Sequence, residues 1–468
     1  MNAPLETLRS LLGPKGLIPG SEAAGYTTDI AGRTAPCLAV LRPASTQEVS
    51  DAVRICAEHD LAIIPQGGNT NLCQMTVPES GRDSVILNLS RMNHILEVDP
   101  ACSTITAESG CTIQALQEAA AEQDRLFAPD WGARGTAQIG GAVATNGGGL
   151  NVFRYGTTRE QVLGMEVVLP DGQVWDGMRS LRKDNSGYDL KQLFIGAEGT
   201  LGIITKLVFK LHPLQPFTQS MMAVLADISR LTDYLNLAQS LAGGKLVAVE
   251  LLNGIGMEKA LERYPDLHRP LDTKADWYVL IRLAGASPVE ETLTAIYEQG
   301  FKGGMLEDAV MAQSVAQERN IWEIREQMIP MQYFKGHQVK WDVSVPVSRI
   351  VDFLRAAEAI AAKHQKEAIT YAVGHVGDGN IHYSIFPKGE AGPEMDRLNA
   401  IYTQEIDALI WSFGGSIVAE HGVGSVYMDR MRRQKSAVEY QMMQKLRALF
   451  DPQGIMNPGK LIRRNPDN

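Results

Sequence analysis

His375 and His382 bracket a tight turn in Gly374-His375-Val376-Gly377-Asp378-Gly379-Asn380-Ile381-His382. Asp-Gly between apolar-flanked arms is a strong two-residue hairpin signal. With Asp378 and Gly379 as the central pair, Gly377 opposes Asn380, Val376 opposes Ile381 and His375 opposes His382. Directly opposed residues share one sheet face, with Cβ atoms roughly 4.5–5.5 Å apart. Two imidazoles so placed can hold one divalent metal ion through neutral nitrogens at about 2.0–2.1 Å. Glu420, immediately before His421, is the candidate third ligand, leaving a coordination position open for substrate. Adjacent residues on a regular strand point to opposite faces. Glu420 and His421 therefore belong at a strand end, where Gly422 lets the chain bend.

Glycine-rich stretches carry a second kind of chemistry. Pro65-Gln66-Gly67-Gly68-Asn69-Thr70-Asn71-Leu72 follows an apolar run, and adjacent glycines let successive backbone N–H groups turn toward an anion. It is neither Gly-x-Gly-x-x-Gly nor a Lys-bearing phosphate loop, so neither a Rossmann site nor a P-loop is indicated. The stretch from Gly135 to Gly149 is built from small residues, so a flat ligand can lie against its backbone. Ile195 to Ile203, with Gly196, Gly199 and Gly202, is the third.

The elements around these residues follow from periodicity. Cys37 to Leu41 and Leu61 to Ile64 read as strands about a helix that begins at the capping box Ser45-Thr46-Gln47-Glu48. Thr104 to Ala107 and a helix from about Thr112 to Gln123 repeat that pattern. Val162 to Leu169 and Ile203 to Leu211 read as strands, with a turn at Asp171-Gly172. The character changes at His212-Pro213, which places domains at 1–212, 213–413 and 414–468. The middle segment alternates apolar strands with amphipathic helices such as Ser348 to His364, an α+β pattern with helices on one side of an antiparallel sheet.

In order and spacing, the three glycine loops resemble the vanillyl-alcohol-oxidase-type FAD-binding fold. The stretches His375–His382, Ala419-Glu420-His421-Gly422-Val423-Gly424 and Asn457-Pro458-Gly459-Lys460-Leu461 resemble the signatures of FAD-linked D-2-hydroxy-acid dehydrogenases, a group that includes D-lactate and D-2-hydroxyglutarate dehydrogenases. The resemblance implies an α+β chain: a two-subdomain FAD-binding domain, an α+β cap domain with an antiparallel sheet, and a small C-terminal helical segment returning to the flavin site. It implies that Gly67, Gly68, Asn69 and Thr70 hold the FAD pyrophosphate, with Gln66 and Asn71 of the same loop also cofactor-binding. Thr136, Gly140, Gly141, Thr145, Asn146, Gly148 and Gly149 would line the ribityl and isoalloxazine path, with Gly156, Glu198, Ile203 and Asn457 near the cofactor. Some relatives attach FAD through a histidine in the first loop; residues 66–74 contain none, so noncovalent FAD is expected. Asn71 stands where relatives often carry glycine.

Oxidation of a 2-hydroxy acid removes an O–H proton and a C–H hydride, and the flavin takes the hydride at N5. A metal on His375, His382 and Glu420, with zinc the family's usual ion, would lower the hydroxyl pKa as a Lewis acid, and His421 would act as general base. By the same resemblance Arg325, Lys340 and Ser384 meet the substrate. Two departures stand out. Ile329 falls where 2-hydroxyglutarate dehydrogenases carry a substrate-binding threonine, and Ser384 where they often carry asparagine. D-2-Hydroxyglutarate is the favoured substrate, with D-lactate or a glycolate-type monocarboxylate as the alternative. A metallohydrolase using the same His/His/Glu set leaves the glycine loops without a purpose.

Bulk composition sets the outer limits. The 468 residues carry a net charge of −10 with no basic block, which speaks against nucleic acid and anionic membranes as partners. No apolar stretch reaches the roughly 18 residues a spanning helix needs. The expected partners are a small 2-hydroxy acid and an electron acceptor: an electron-transfer flavoprotein, a quinone or a cytochrome. Relatives are often homodimers. Five cysteines without a Cys-x-x-Cys pair read as reduced thiols of a cytoplasmic protein.

Overall fold

The computed structural model describes residues 3–79, 81–331 and 337–463. The chain forms two compact units. One comprises residues 1–149, 155–214 and 420–468; the other comprises 150–154 and 215–419. The C-terminal stretch thus folds with the N-terminal half rather than apart from it.

The first unit contains two larger sheets. In one, the strands Ala39–Leu41, Ser84–Asn88 and Ala62–Gln66 run parallel, and Leu17–Pro19 pairs antiparallel at the edge. The helix Thr46–Glu58 starts where the capping signal places it. Ser45 accepts from the Glu48 N–H, and Glu48 reaches back to the Ala44 N–H. Its face of Val49, Ala52, Val53 and Cys56 is buried. The other sheet has five strands, all antiparallel, in the order Ile95–Asp99, Thr104–Glu108, Ile203–Lys210, Val162–Val168, Val174–Gly177. Residues 101–128 therefore do not repeat the parallel pattern of 36–65. The strand Thr104–Glu108 finds its partner at Ile203–Lys210, far along the chain.

The second unit is a seven-stranded antiparallel sheet. Its central and edge strands relevant to chemistry are, in order, Leu246–Asn253, Ile369–His375, Asn380–Phe386 and Val339–Ser344. Helices cover both faces, not one. Leu231–Ala242, Glu290–Lys302, Ile350–His364 and Pro393–Ser412 pack on the face of Leu251, Val343 and Tyr383. Gly254–Arg263 and Val315–Met331 pack on the face of Leu252, Tyr278 and Val373. Runs such as Leu246-Val247-Ala248-Val249 are apolar on both sides, and a strand of that kind needs cover on both.

Candidate active site

The histidine hairpin forms, but in a register two residues away from the expected one. Val373 rather than His375 lies opposite His382. The connection is a four-residue turn over Val376 to Gly379. The His375 carbonyl accepts from the Gly379 N–H at 3.1 Å, the Asp378 side chain accepts from the Asn380 N–H, and Gly379 takes φ +90°. A shift of two preserves the side-chain alternation, so both imidazoles still share one face. Their ring centroids are 5.7 Å apart with planes at 79°, and both side chains are buried. Rings at this separation can meet at one divalent ion, and two neutral imidazoles suit zinc, manganese or iron.

Two acids absent from the sequence reading complete this row. Glu250 is registered directly opposite His375, and Asp342 directly opposite His382. Glu250 Oε1 lies 2.7 Å from His375 Nδ1, and its Oε2 accepts from Arg325 Nε at 2.9 Å. Burial alone would raise the Glu250 carboxyl, but the charges of Arg325 and His375 outweigh it and hold it well below the usual carboxylate range. Asp342 Oδ1 stands 3.6 Å from His382 Nδ1, longer than a hydrogen bond. Its oxygens accept instead from Asn380 Nδ2 at 2.9 Å and from the Ala419 N–H at 3.1 Å. For Glu250 the sequence did carry a signal: it interrupts the apolar run from Leu246 to Leu252, where a charge is retained only if paired.

The expected substrate residues of this unit are placed unevenly. Lys340 lies on the histidine face, opposite Ser384, and is exposed. Ser384 is fully buried and accepts from Gln338 Nε2. Arg325 is 2% exposed, and much of its donor capacity is already engaged. Besides Glu250, it donates from Nη1 to Glu326, and Nη2 lies 3.2 Å from His375 Nε2.

The first unit brings the glycine stretches together. A Cβ at Gly68 would overlap the Thr136 carbonyl oxygen, and one at Gly140 would lie 2.7 Å from Ser109 Cβ. Residues Ile139–Thr145 form a short helix rather than a loop, because their small side chains permit this approach. Asn146 ends it in the left-handed conformation at φ 51°. Asn69 donates to the Thr28 carbonyl, and Gln66 to the Tyr26 carbonyl. The Asn71 side chain ties its own loop through Thr76 and the Met75 N–H, so the residue that replaces glycine has a structural task. Thr145 donates to Gly141 O, and Thr136 is exposed. Gly156 turns at φ +82° beside the Glu160 side chain. Ile203 departs from expectation: its side chain is 1% exposed and belongs to the core with Ile63, Val168 and Met456.

Glu198 also has a structural task. It accepts from the Val423 and Gly424 N–H groups at 2.7 and 2.8 Å, and Asn457 Nδ2 donates to its carbonyl. The C-terminal signature is thereby joined to the third glycine loop. Glu420 accepts from the Gly149 N–H at 3.1 Å, and His421 Nε2 lies 4.0 Å from Glu420 Oε1. Both stand in a bend that Gly422 turns at φ +81°. Three buried acceptor atoms beside these loops, Ser109 Oγ, Gln138 Oε1 and Asn457 Oδ1, have no hydrogen-bond partner among the described residues. Buried polar atoms are rarely left so. These acceptors suit hydroxyl or N–H donors, and backbone cleared of Cβ atoms leaves N–H groups for phosphate, a combination that fits FAD.

Burial pushes the Glu198 carboxyl up to about 7 from 4.5. A raised acid favours the folded state fully below its unfolded pKa, and that contribution is lost as pH rises through the folded value. Unfolding free energy should therefore fall between pH 4.5 and 7 through this group, by on the order of 3 kcal/mol. Glu198→Gln is expected to flatten that slope in denaturant titrations at pH 5 and pH 8. A difference between wild type and variant that does not change with pH would contradict it.

Comparison with known proteins agrees with this architecture. The chain aligns with p-cresol methylhydroxylase in a substrate-bound structure at a TM-score of 0.76 and 18% identity, covering 98% of this chain and 96% of that one. This defines a vanillyl-alcohol-oxidase-type fold. The sequence pattern described as FAD binding domain matches residues 37–177, and that described as FAD linked oxidases, C-terminal domain, matches residues 216–461. Mitochondrial D-2-hydroxyglutarate dehydrogenase of Danio rerio is 36% identical over 436 residues, covering 92% of this chain and 78% of the relative. D-2-Hydroxyglutarate dehydrogenase of Stutzerimonas stutzeri (strain A1501) is 32% identical over 462 residues, covering 98% of each. The chain belongs to the FAD-linked oxidase family, with D-2-hydroxyglutarate dehydrogenases among its relatives, and is an FAD-dependent D-2-hydroxy-acid dehydrogenase.

Proposed function

We propose that this enzyme oxidises D-2-hydroxyglutarate to the 2-oxo acid, using noncovalent FAD and a divalent metal, zinc foremost, on His375, His382 and Glu420. The observation that supports it most is the buried histidine pair on one sheet face, backed by a carboxylate. The flavin supplies a hydride acceptor at N5 and the metal a Lewis acid for the hydroxyl. The chain's own residues do the rest. His421 takes the hydroxyl proton. Lys340 offers a point charge to a carboxylate, and Arg325 a donor fork already oriented by Glu250. The names of the relatives favour the dicarboxylate, whereas Ile329 and Ser384 leave D-lactate as the second reading.

The test is anaerobic flavin bleaching by a panel of D- and L-2-hydroxy acids, after chelation and after readdition of zinc or manganese. D-2-Hydroxyglutarate should bleach fastest, and chelated enzyme should be inactive. Equal rates with L-acids, or full activity once metal analysis confirms removal, would overturn the reading. His382→Ala should lose metal and turnover together while keeping the yellow colour. Acid precipitation should release the flavin; colour kept in the pellet would mean a covalent link.

Electron transfer onward is proposed to an electron-transfer flavoprotein, a quinone or a cytochrome. Among the described residues no helix is long and apolar enough to cross a membrane, and no disulfide joins the five cysteines.

A further inference from the structure

We propose that Glu250 is a positioning residue of this site, one buried carboxylate that sets His375 as its Nδ1–H tautomer and at the same time aims the Arg325 guanidinium. The inference rests on the metal-ligand role assigned above to His375. The contact with Glu250 specifies the tautomer of the imidazole. An ionised carboxylate only accepts, and Glu250 Oε1 is 2.7 Å from Nδ1, so Nδ1 carries the hydrogen. With the hydrogen on Nδ1, Nε2 keeps its lone pair; Arg325 Nη2 stands near both ring nitrogens, 3.2 Å from Nε2 and 3.4 Å from Nδ1, and does not decide between them. That lone pair is the one a metal requires. Glu250 has no slack for another task, since its second oxygen takes Arg325 Nε at 2.9 Å and its side chain is 1% exposed. Direct registry of Glu250 with His375 across adjacent strands fixes the pair from the backbone outward. Ligand basicity and the placement of a substrate-facing cation are thus coupled through a single side chain. The corresponding distance from Asp342 Oδ1 to His382 Nδ1 is longer, at 3.6 Å.

The test uses FAD-loaded, chelated protein with ¹⁵N-labelled histidine. In the wild type, His375 should show a protonated Nδ1 and a bare Nε2. In Glu250→Gln, whose amide cannot accept from both partners through one oxygen, the tautomers should mix, and zinc affinity by chelator competition should fall about 10- to 100-fold. Asp342→Asn should leave the His375 tautomer unchanged. A folded Glu250→Gln with the wild-type tautomer and zinc affinity within twofold overturns the proposal. Should that variant fail to fold, Glu250→Gln with Arg325→Met removes both charges of the buried pair. Wild-type zinc affinity in the double variant would likewise overturn it. If the wild type binds no zinc, the metal assignment falls, and the tautomer signal still decides the role of Glu250.

Discussion

His421→Ala is expected to purify yellow, with wild-type FAD content, and to be reduced by the hydroxy acid about 10²- to 10⁴-fold more slowly. Its place in the chain makes the separation clean. His421 stands in a bend next to Glu420, outside the strands and helices that build the glycine cradle. Removing the imidazole therefore leaves the backbone that clears space for the cofactor in place. What is lost is an acceptor for the hydroxyl proton. The measurement is stopped-flow reduction without oxygen, compared with FAD content from absorbance. Reduction at the wild-type rate would remove His421 from the chemistry. Loss of FAD together with rate would assign it to cofactor binding instead.

The second large effect is expected at Gly68. An added methyl there meets the Thr136 carbonyl oxygen and the Thr136 carbonyl carbon, the latter at 2.8 Å, and neither belongs to a flexible side chain. Two loops must move apart, at a cost of about 1–3 kcal/mol. Gly68→Ala should thus lower apoprotein stability and weaken FAD binding about 10- to 100-fold. Gly141→Ala provides the contrast. Beyond its chain neighbours and its own helix backbone, no described atom lies within 4 Å of a Cβ there, and the position is inside the helix Ile139–Thr145. Alanine should hold or raise apoprotein stability by roughly 0.5–1 kcal/mol. If Gly141 faces the cofactor, FAD binding alone should weaken. Thermal unfolding of both variants, with and without FAD, distinguishes these outcomes. Equal, small effects at both positions would remove the cradle argument.

What the sequence made legible was mostly local. The Ser45 cap and the helix after it, the strands Val162–Val168 and Ile203–Lys210, and the helix Ile350–His364 follow from periodicity and capping, because short-range physics decides them. The hairpin shows where that stops. Asp378-Gly379 marked the turn, but the loop length depends on bonds to other strands, including Asn380 Nδ2 to Asp342 and to the Val343 carbonyl. Glu250 was invisible as a partner of His375 because the pairing joins strands far apart in sequence, and an isolated carboxylate in an apolar run names no partner. The helix at Ile139–Thr145 was hidden for the opposite reason, since glycine and alanine advertise flexibility while packing here against Ser109.

The turn between the two histidine strands implies a rule for how such loops can drift. Because alternate positions point to opposite sides, sliding one strand past its neighbours by an even number of residues leaves both rings on the same side of the sheet. An odd change carries one ring to the far side, among Leu251, Val343 and Tyr383. A residue gained within the turn is absorbed there as long as each histidine strand keeps its outer neighbour, so the feature to be preserved is the pairing of His375 with Glu250 and of His382 with Asp342.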